Sequence, residues 1–120
     1  MLSASFKGIT VPVISCFRGP QGRDGIDLEA QKRVVEFSIK EMQADVMLAC
    51  ASTGEGMALR GEEYNQIAEL TLVESKKLKP GIPVLLGTSS TDPEETYAKN
   101  AYARERGFDG VLITHPPYIK

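Results

Sequence analysis

Two adjacent hydroxyl residues, Ser52 and Thr53, stand before a glycine in a turn that could bind a small anion. Side-chain hydroxyls and the backbone N–H groups of such a turn can donate hydrogen bonds to one carboxylate or phosphate. The small Gly54 would let that anion approach the backbone closely. A hydrogen-bonded loop without a ligand has the same composition, so the turn by itself leaves both interpretations open.

This turn belongs to a regular alternation of predicted strands and helices. Four apolar segments predict the strands: 9–14, 46–50, 83–87 and 110–114. Three helical patterns separate them, beginning at Asp27, near Gly61 and at Asp92. The β-α-β-α-β-α-β order with short connections predicts a parallel sheet with right-handed crossovers. Pro12 predicts that the first strand lies at an edge or contains a bulge.

The third helix has the strongest start signal in the chain. Asp92 is predicted as the N-cap, Pro93 as the first helical residue, and Glu95 as the partner that completes a capping box. Gly107 is predicted to end this helix in a left-handed conformation. Four side chains of the helix are predicted to face the core: Tyr97, Ala98, Ala101 and Tyr102.

Polar residues follow the carboxyl end of every predicted strand. Parallel α/β folds place their ligand sites at that end, so these residues are candidates for one common site. Glu55 could act as a catalytic carboxylate or could hold the turn by hydrogen bonds. His115 could act as a general base, or it could be a packed loop residue. The set comprises Ser15, Cys16, Ser52, Thr53, residues 88–90 and residues 115–118.

Length, charge and cysteine content exclude several classes of function. A chain of 120 residues allows one domain with a modest core. The net charge of −2, with both signs interspersed, indicates no nucleic-acid or membrane surface. No apolar run is long enough to span a bilayer and no signal peptide is evident, so we expect a cytoplasmic protein. Cys16 and Cys50 are too few for a zinc site or a disulfide framework, and no metal is expected.

Several short motifs, in order and at matching spacings, resemble one known superfamily. The clearest is Ala51-Ser52-Thr53-Gly54-Glu55, which is similar to a Gly-Thr-Thr-Gly-Glu signature. Supporting pieces are Gly8, residues 14–17, residues 24–27, Leu59, Glu63, residues 83–88, Ala101, Gly107, residues 109–110 and residues 116–118. Together they resemble the dihydrodipicolinate synthase and N-acetylneuraminate lyase superfamily, the pyruvate-dependent class I aldolases built on a (β/α)8 TIM barrel.

The resemblance implies an α/β fold in which residues 1–120 form the N-terminal half of a TIM-barrel lyase domain. It implies that Ser52, Thr53 and Gly54 hold the carboxylate of a keto acid such as pyruvate, and that Tyr118 also contacts substrate. The lysine that forms the Schiff base and the acid–base tyrosine of these enzymes fall outside this chain, and Lys120 does not match the lysine. No cofactor is implied, and we expect a homo-oligomer.

Three residues depart from the superfamily pattern. Cys16 stands where proline is usual, Ala51 replaces the first glycine of the signature, and Ile119 replaces a second tyrosine that relays protons in the synthases. The chain therefore resembles the dihydrodipicolinate synthases, but its reaction could also be that of another pyruvate aldolase or hydratase. The alternatives are a non-catalytic small-anion binding module and an inactive fragment. As half a barrel, the chain is expected to be ordered only against the missing half or a second copy.

Overall fold

The computed structural model describes residues 6–22 and 24–114, and the predicted alternation of strands and helices is confirmed. Each strand is shorter than predicted: β2 and β4 lose residues at their ends, β3 loses Pro83 at its start, and β1 is shorter at both ends. Short 3-10 turns occupy Pro20–Gly22 and Gly56–Ala58. The main elements are β1 (Thr10–Pro12), α1 (Leu28–Lys40), β2 (Val46–Ala49), α2 (Gly61–Leu78), β3 (Val84–Gly87), α3 (Pro93–Arg106) and β4 (Gly110–Leu112).

The four strands form one parallel sheet in the order β1-β2-β3-β4, as predicted. Its register places Leu48 of β2 opposite Pro12 of β1 and opposite Leu85 of β3, and Leu85 lies opposite Gly110 of β4. Pro12 therefore lies on an edge strand of this sheet, where a missing N–H is tolerated. Four strands in sequential order, each followed or preceded by a helix, make an incomplete barrel.

One face of the sheet carries the hydrophobic core and all three helices pack against it. Alternate residues of a strand point to opposite faces, so β1, β2 and β3 contribute every second side chain to this core, whereas Val111 of β4 is exposed. The helices contribute buried residues such as Val35 of α1, Ile67 of α2 and Ala103 of α3. The strand residues of the core are Val11, Val13, Met47, Ala49, Val84 and Leu86.

The opposite face of the sheet is also apolar, and it would line the interior of a complete barrel. Leu48 and Leu85 lie opposite each other in the register, and the side-chain alternation places Ile14 and Leu112 on the same face. Ile14 and Leu112 are exposed, whereas Leu48 is buried. Half of the barrel interior is therefore formed by this chain and left partly open to solvent.

The local signals that were predicted to start and end the first two helices are confirmed. The Asp27 carboxylate accepts a hydrogen bond from the Ala30 N–H at 3.0 Å, as an N-cap should. Helix α2 ends at Leu78, before the proline–glycine pair. The core-facing side of α2 is buried, and its members include Tyr64, Ile67, Ala68 and Thr71.

The predicted inner face of α3 is wrong. Tyr97 is 66% exposed, Ala98 and Ala101 are exposed, and Tyr102 is only partly buried. Ala103 is the buried residue of this helix. Small alanines occur on several sides of α3, so the apolar pattern did not define one face, and packing against the sheet selected a different one.

The predicted capping box of α3 is also wrong, although its N-cap is correct. The Asp92 carboxylate caps the helix by accepting the Glu94 N–H at 3.0 Å. The Asp92 N–H, however, donates to the Ser90 hydroxyl at 3.1 Å, while the Glu95 carboxylate pairs with Lys99 at 3.1 Å. The Ser90 hydroxyl therefore accepts the hydrogen bond from the Asp92 N–H that was predicted for the Glu95 carboxylate. Gly107 ends the helix with φ +89°, as predicted.

No helix within the described ranges is both long enough and apolar enough to cross a lipid bilayer.

Candidate anion-binding site

A cavity of about 320 Å³ opens at the carboxyl ends of β2, β3 and β4. The predicted convergence of strand ends is therefore confirmed for these three loops. The cavity has mostly apolar or small walls, with Leu112 and Met57 among them, and a few polar groups. Its lining residues are Cys50, Ala51, Ser52, Glu55, Gly56, Met57, Ala58, Gly87, Ser89, Leu112 and Thr114.

The turn after β2 is folded back on itself by two backbone hydrogen bonds. The Gly56 N–H donates to the Ala51 carbonyl at 3.0 Å, and the Glu55 N–H donates to the Ser52 carbonyl at 3.0 Å. Glu55 adopts a left-handed conformation, with φ +56°, to close this loop. These bonds take up the amides at the end of the turn and leave its first part unbonded.

Three successive backbone N–H groups at the start of the turn, those of residues 52–54, have no hydrogen-bond acceptor among the described residues, although Gly54 itself is buried. Ser15, at the end of β1, holds the turn from the other side: its hydroxyl donates to the Gly54 carbonyl at 2.5 Å. With that carbonyl held towards Ser15, the turn presents donors rather than acceptors, a concave arrangement that favours anions.

Glycines allow this turn to pack directly against the neighbouring strand ends. A Cβ at Gly56 would overlap the carbonyl oxygen of Cys50, and a Cβ at Gly87 would lie 2.5 Å from the same oxygen. At Gly54 it would lie 2.7 Å from the Val13 carbonyl oxygen. The three close approaches involve backbone, which cannot swing away as a side chain can. These three positions therefore require glycine, because the backbone leaves no space for a Cβ atom.

Tyr64 of α2 supports the floor of the site from inside the core. Its hydroxyl donates to the buried Gly87 carbonyl at 2.7 Å, and its own backbone carbonyl accepts the Cys50 thiol at 3.7 Å. Burial raises the pKa of Tyr64 above its ordinary range, with a further increase from Cys50. Burial also raises the pKa of Cys50 to about 12, so this thiol stays protonated and acts as a packing group.

We expect Tyr64→Phe to destabilise the fold by about 1–3 kcal/mol, because it leaves the buried Gly87 carbonyl without its donor. Tyr97→Phe is the matched control, since that hydroxyl belongs to a side chain that is 66% exposed. Urea denaturation followed by circular dichroism compares the two variants. Equal midpoints for both would show that the Tyr64–Gly87 hydrogen bond contributes nothing.

The structure brings only some of the predicted site residues to the cavity: Ser52, Glu55 and Ser89 line it, whereas Thr53 and Gly54 do not. Ser52 and Thr53 are exposed at the mouth of the turn. Cys16 does not line it; its N–H donates to the amide oxygen of the buried Gln31 at 2.9 Å. His115 and Tyr118 lie outside the described residues.

A second hydroxyl pair joins the ends of β3 and β4. The Ser89 and Thr114 hydroxyls are 3.0 Å apart, and the Thr114 N–H donates to the Ser89 oxygen at 2.8 Å. Ser89 was a candidate from the sequence, whereas Thr114 was placed inside a strand. The neighbouring Thr88 hydroxyl is buried, and no partner for it exists among the described residues. The Ser89–Thr114 contact closes the cavity on the β4 side.

The residues that the structure describes contain no cluster of three or more His, Cys, Asp or Glu side chains that could hold a metal ion.

The topology and the turn together define the class of this chain: a segment of a parallel (β/α) barrel with a candidate anion site at the carboxyl ends of its strands. A family model described as the Dihydrodipicolinate synthetase family matches residues 5–120. The chain belongs to this family.

Curated relatives and solved structures agree with this assignment. The chain is 32% identical over 115 residues to the 4-hydroxy-tetrahydrodipicolinate synthase of Geotalea uraniireducens, covering 96% of this chain and 37% of the relative. It is 34% identical over 113 residues to that of Syntrophus aciditrophicus, covering 94% and 36%. The chain thus spans little more than a third of the length of these relatives.

Among solved structures, the 4-hydroxy-tetrahydrodipicolinate synthase from Methylacidiphilum fumariolicum SolV matches with a TM-score of 0.81 at 30% identity, covering 95% of this chain and 35% of that one. The N-acetylneuraminate lyase from Fusobacterium nucleatum, solved in complex with pyruvate, matches with a TM-score of 0.80 at 21% identity, covering 96% and 37%. The second likeness is one of fold.

Proposed function

We propose that residues 1–120 form the N-terminal half of a TIM-barrel lyase domain that acts on keto acids through a Schiff base, in a dihydrodipicolinate synthase-like reaction. Support comes from the family match over residues 5–120 and from synthases at 32–34% identity. By resemblance, the whole enzyme would be a carbon–carbon or carbon–oxygen lyase of the class I aldolase type, and the 120-residue chain alone would be inactive.

In this proposal the turn after β2 binds the carboxylate of a keto acid such as pyruvate. The observation that carries it is the set of N–H groups at residues 52–54 that have no acceptor in the described part of the chain, beside the exposed hydroxyls of Ser52 and Thr53. Hydrogen bonds to an ionised acceptor are stronger than neutral ones, so several converging donors would fix one carboxylate in place. A protein of the same fold, the Fusobacterium N-acetylneuraminate lyase, has been solved with pyruvate.

Ser52, Thr53 and Gly54 would bind and orient the keto acid, and a lysine outside this chain would perform the covalent step. A lysine amine must be neutral to attack a keto carbon, which requires a buried site that lowers its pKa. The largely apolar cavity walls, including Leu112 and Met57, would exclude water from the bound keto acid. Tyr118 would donate a hydrogen bond to the same substrate.

Replacing Thr53 by Val tests the carboxylate role directly. The change keeps the side-chain shape but removes one hydrogen bond to a charged group, worth roughly 1.5–3 kcal/mol, so pyruvate binding should weaken roughly tenfold to a hundredfold. Calorimetry would be performed on residues 1–120 joined to the complementary portion of the Geotalea uraniireducens synthase. Thr91→Val, at an exposed threonine after β3 that lies outside the turn of residues 51–56, is the matched control.

Two outcomes would contradict the proposal. Pyruvate affinity that is unchanged by Thr53→Val would remove this hydroxyl from the site. Phosphate binding as tight as pyruvate binding, with equal sensitivity to Thr53→Val, would favour the alternative of a non-catalytic anion-binding module.

A further inference from the structure

The segment that follows β1, and that supports the candidate anion-binding turn, is held by α1 rather than by the sheet. The last backbone hydrogen bond from this part of the chain to β2 is the one from the Val13 N–H to the Leu48 carbonyl, at 2.9 Å. Within the described ranges, no backbone hydrogen bond joins residues 14–16 to β2. Ser15, whose hydroxyl donates to the Gly54 carbonyl, therefore lies on a segment that strand pairing does not fix.

Gln31 of α1 holds this segment with both ends of its side-chain amide. Its Nε2 donates to the Ile14 carbonyl at 2.8 Å, and its Oε1 accepts the Cys16 N–H at 2.9 Å. The two hydrogen bonds lie on either side of Ser15 in the chain. The Asp27 N–H also donates to the Cys16 carbonyl, at 2.8 Å. Three hydrogen bonds from the start of α1 therefore fix the position of Ser15.

The burial of Gln31 shows what its amide contributes. The residue is 0% exposed, and a buried amide costs free energy unless its polar atoms are hydrogen-bonded. Here the two backbone groups satisfy one donor and one acceptor of the amide. An apolar side chain of similar length could fill the same volume, so what the amide adds is the fixed position of the backbone around Ser15.

We propose that Gln31 is a positioning residue for the candidate anion-binding site and that it acts through Ser15. By fixing residues 14–16, it places the Ser15 hydroxyl where this group holds the Gly54 carbonyl at 2.5 Å. Without that hydrogen bond the Gly54 carbonyl is free to rotate towards the ligand, and its partial negative charge would repel a carboxylate. This inference rests on the proposed function, because it concerns how the carboxylate-binding turn keeps its shape.

The test is a double-mutant cycle between Gln31 and Ser15. Pyruvate affinity is measured by calorimetry on residues 1–120 joined to the complementary portion of the Geotalea uraniireducens synthase. Gln31→Met keeps the length of the side chain but removes both amide hydrogen bonds, and Ser15→Ala removes the hydroxyl. We expect each change alone to weaken pyruvate binding roughly tenfold. If Gln31 acts through Ser15, the double variant should also lose roughly tenfold, whereas independent changes would lose roughly a hundredfold.

Val35→Ala is the matched control on the same helix. Val35 is fully buried in the core, so this change should lower the urea midpoint of unfolding, as Gln31→Met should also do. It leaves the amide of Gln31 in place, so pyruvate affinity should not change. If Gln31→Met gives the same result as Val35→Ala, with a lower midpoint but full affinity, the role of Gln31 is purely structural and the inference is wrong.

Hydrogen–deuterium exchange of the same protein without pyruvate provides a second measurement. The N–H groups of Glu55 and Gly56 are protected by hydrogen bonds within the turn. Gln31→Met should speed their exchange relative to the amides of α2, whereas Val35→Ala should leave this ratio unchanged. Gln31→Asn, whose amide is one methylene too short to reach both backbone groups, is a second variant in case Gln31→Met does not fold.

The outcomes separate this inference from the proposed function. If Thr53→Val weakens pyruvate binding but the effects of Gln31→Met and Ser15→Ala are additive, the inference fails and the proposed function stands. If Thr53→Val has no effect on affinity, the proposed function fails, and hydrogen–deuterium exchange decides the inference. Faster exchange at Glu55 and Gly56 in Gln31→Met would then support the link from Gln31 to the turn, and unchanged exchange would overturn it.

Discussion

Gly56→Ala is expected to destabilise the chain by about 3 kcal/mol and to abolish anion binding at the turn. The added methyl group would overlap the Cys50 carbonyl oxygen, and neither backbone segment can move without opening the turn. Overpacking in a close-packed region costs about 1–3 kcal/mol, and a direct overlap with backbone belongs at the upper end. The displaced segment also includes the Gly56–Ala51 hydrogen bond that shapes the turn around the N–H groups of residues 52–54.

Gly61→Ala is the matched control for this prediction. Gly61 begins α2, and a Cβ there would meet nothing within 4 Å, so the change should be neutral or stabilise the helix slightly. Urea denaturation of both variants measures their stability. Calorimetry with pyruvate, on residues 1–120 joined to the complementary portion of the Geotalea uraniireducens synthase, measures binding separately. If Gly56→Ala unfolds at the same urea concentration as Gly61→Ala, the tight packing of the turn against Cys50 is incorrect.

The order of elements could be predicted from the sequence because it depends on local chemistry. Apolar segments separated by helical patterns, with capping residues at Asp27 and Asp92, specify strands and helices without reference to distant contacts. The parallel order β1-β2-β3-β4 then follows from the handedness of short βα connections. The errors occur where distant residues decide the outcome. The inner face of α3 depended on which side met the sheet, and its capping box was displaced by Ser90.

Part of the candidate site could also be predicted from the sequence, because that part depends on local chemistry. Ser52 and Thr53 could be identified as candidates because two hydroxyls beside a glycine indicate an anion-binding turn without reference to distant residues. The groups that shape the turn could not be found in this way. Ser15 is 39 residues away from the Gly54 carbonyl that it holds, and Tyr64 is 23 residues away from the Gly87 carbonyl. A serine at a strand end and a tyrosine on a helix have many other uses, so only the folded chain identifies these partners.

The chain on its own is expected to form no specific imine with pyruvate, although it contains several lysines. No lysine within residues 6–22 and 24–114 lines the cavity at the strand ends. Lys76 donates to the Ile82 carbonyl at 2.6 Å and pairs with Asp109 at 2.8 Å, so its amine is held away from the cavity. Exposed lysines keep pKa values near 10.4, so they are mostly protonated at neutral pH and are poor nucleophiles.

Lys99 is the most serious competitor, because its side chain is only 14% exposed. Its ammonium group, however, pairs with Glu95 at 3.1 Å and lies 4.6 Å from the centre of the Tyr64 ring. Both contacts stabilise the positive charge. Lys99 also belongs to a different pocket, between α2 and α3, which is separate from the turn at Ser52. Its surroundings therefore favour a structural role.

Borohydride reduction in the presence of pyruvate, followed by peptide mass spectrometry, measures this directly. The chain alone should show only trace modification spread over its lysines. The chain combined with the complement of the Geotalea uraniireducens synthase should be modified at one lysine of the complement and not within residues 1–120. Stoichiometric modification of Lys99 that disappears in Lys99→Arg would contradict the proposal that the nucleophilic lysine lies outside this chain. The nucleophile would then reside in the same half of the barrel as the carboxylate turn.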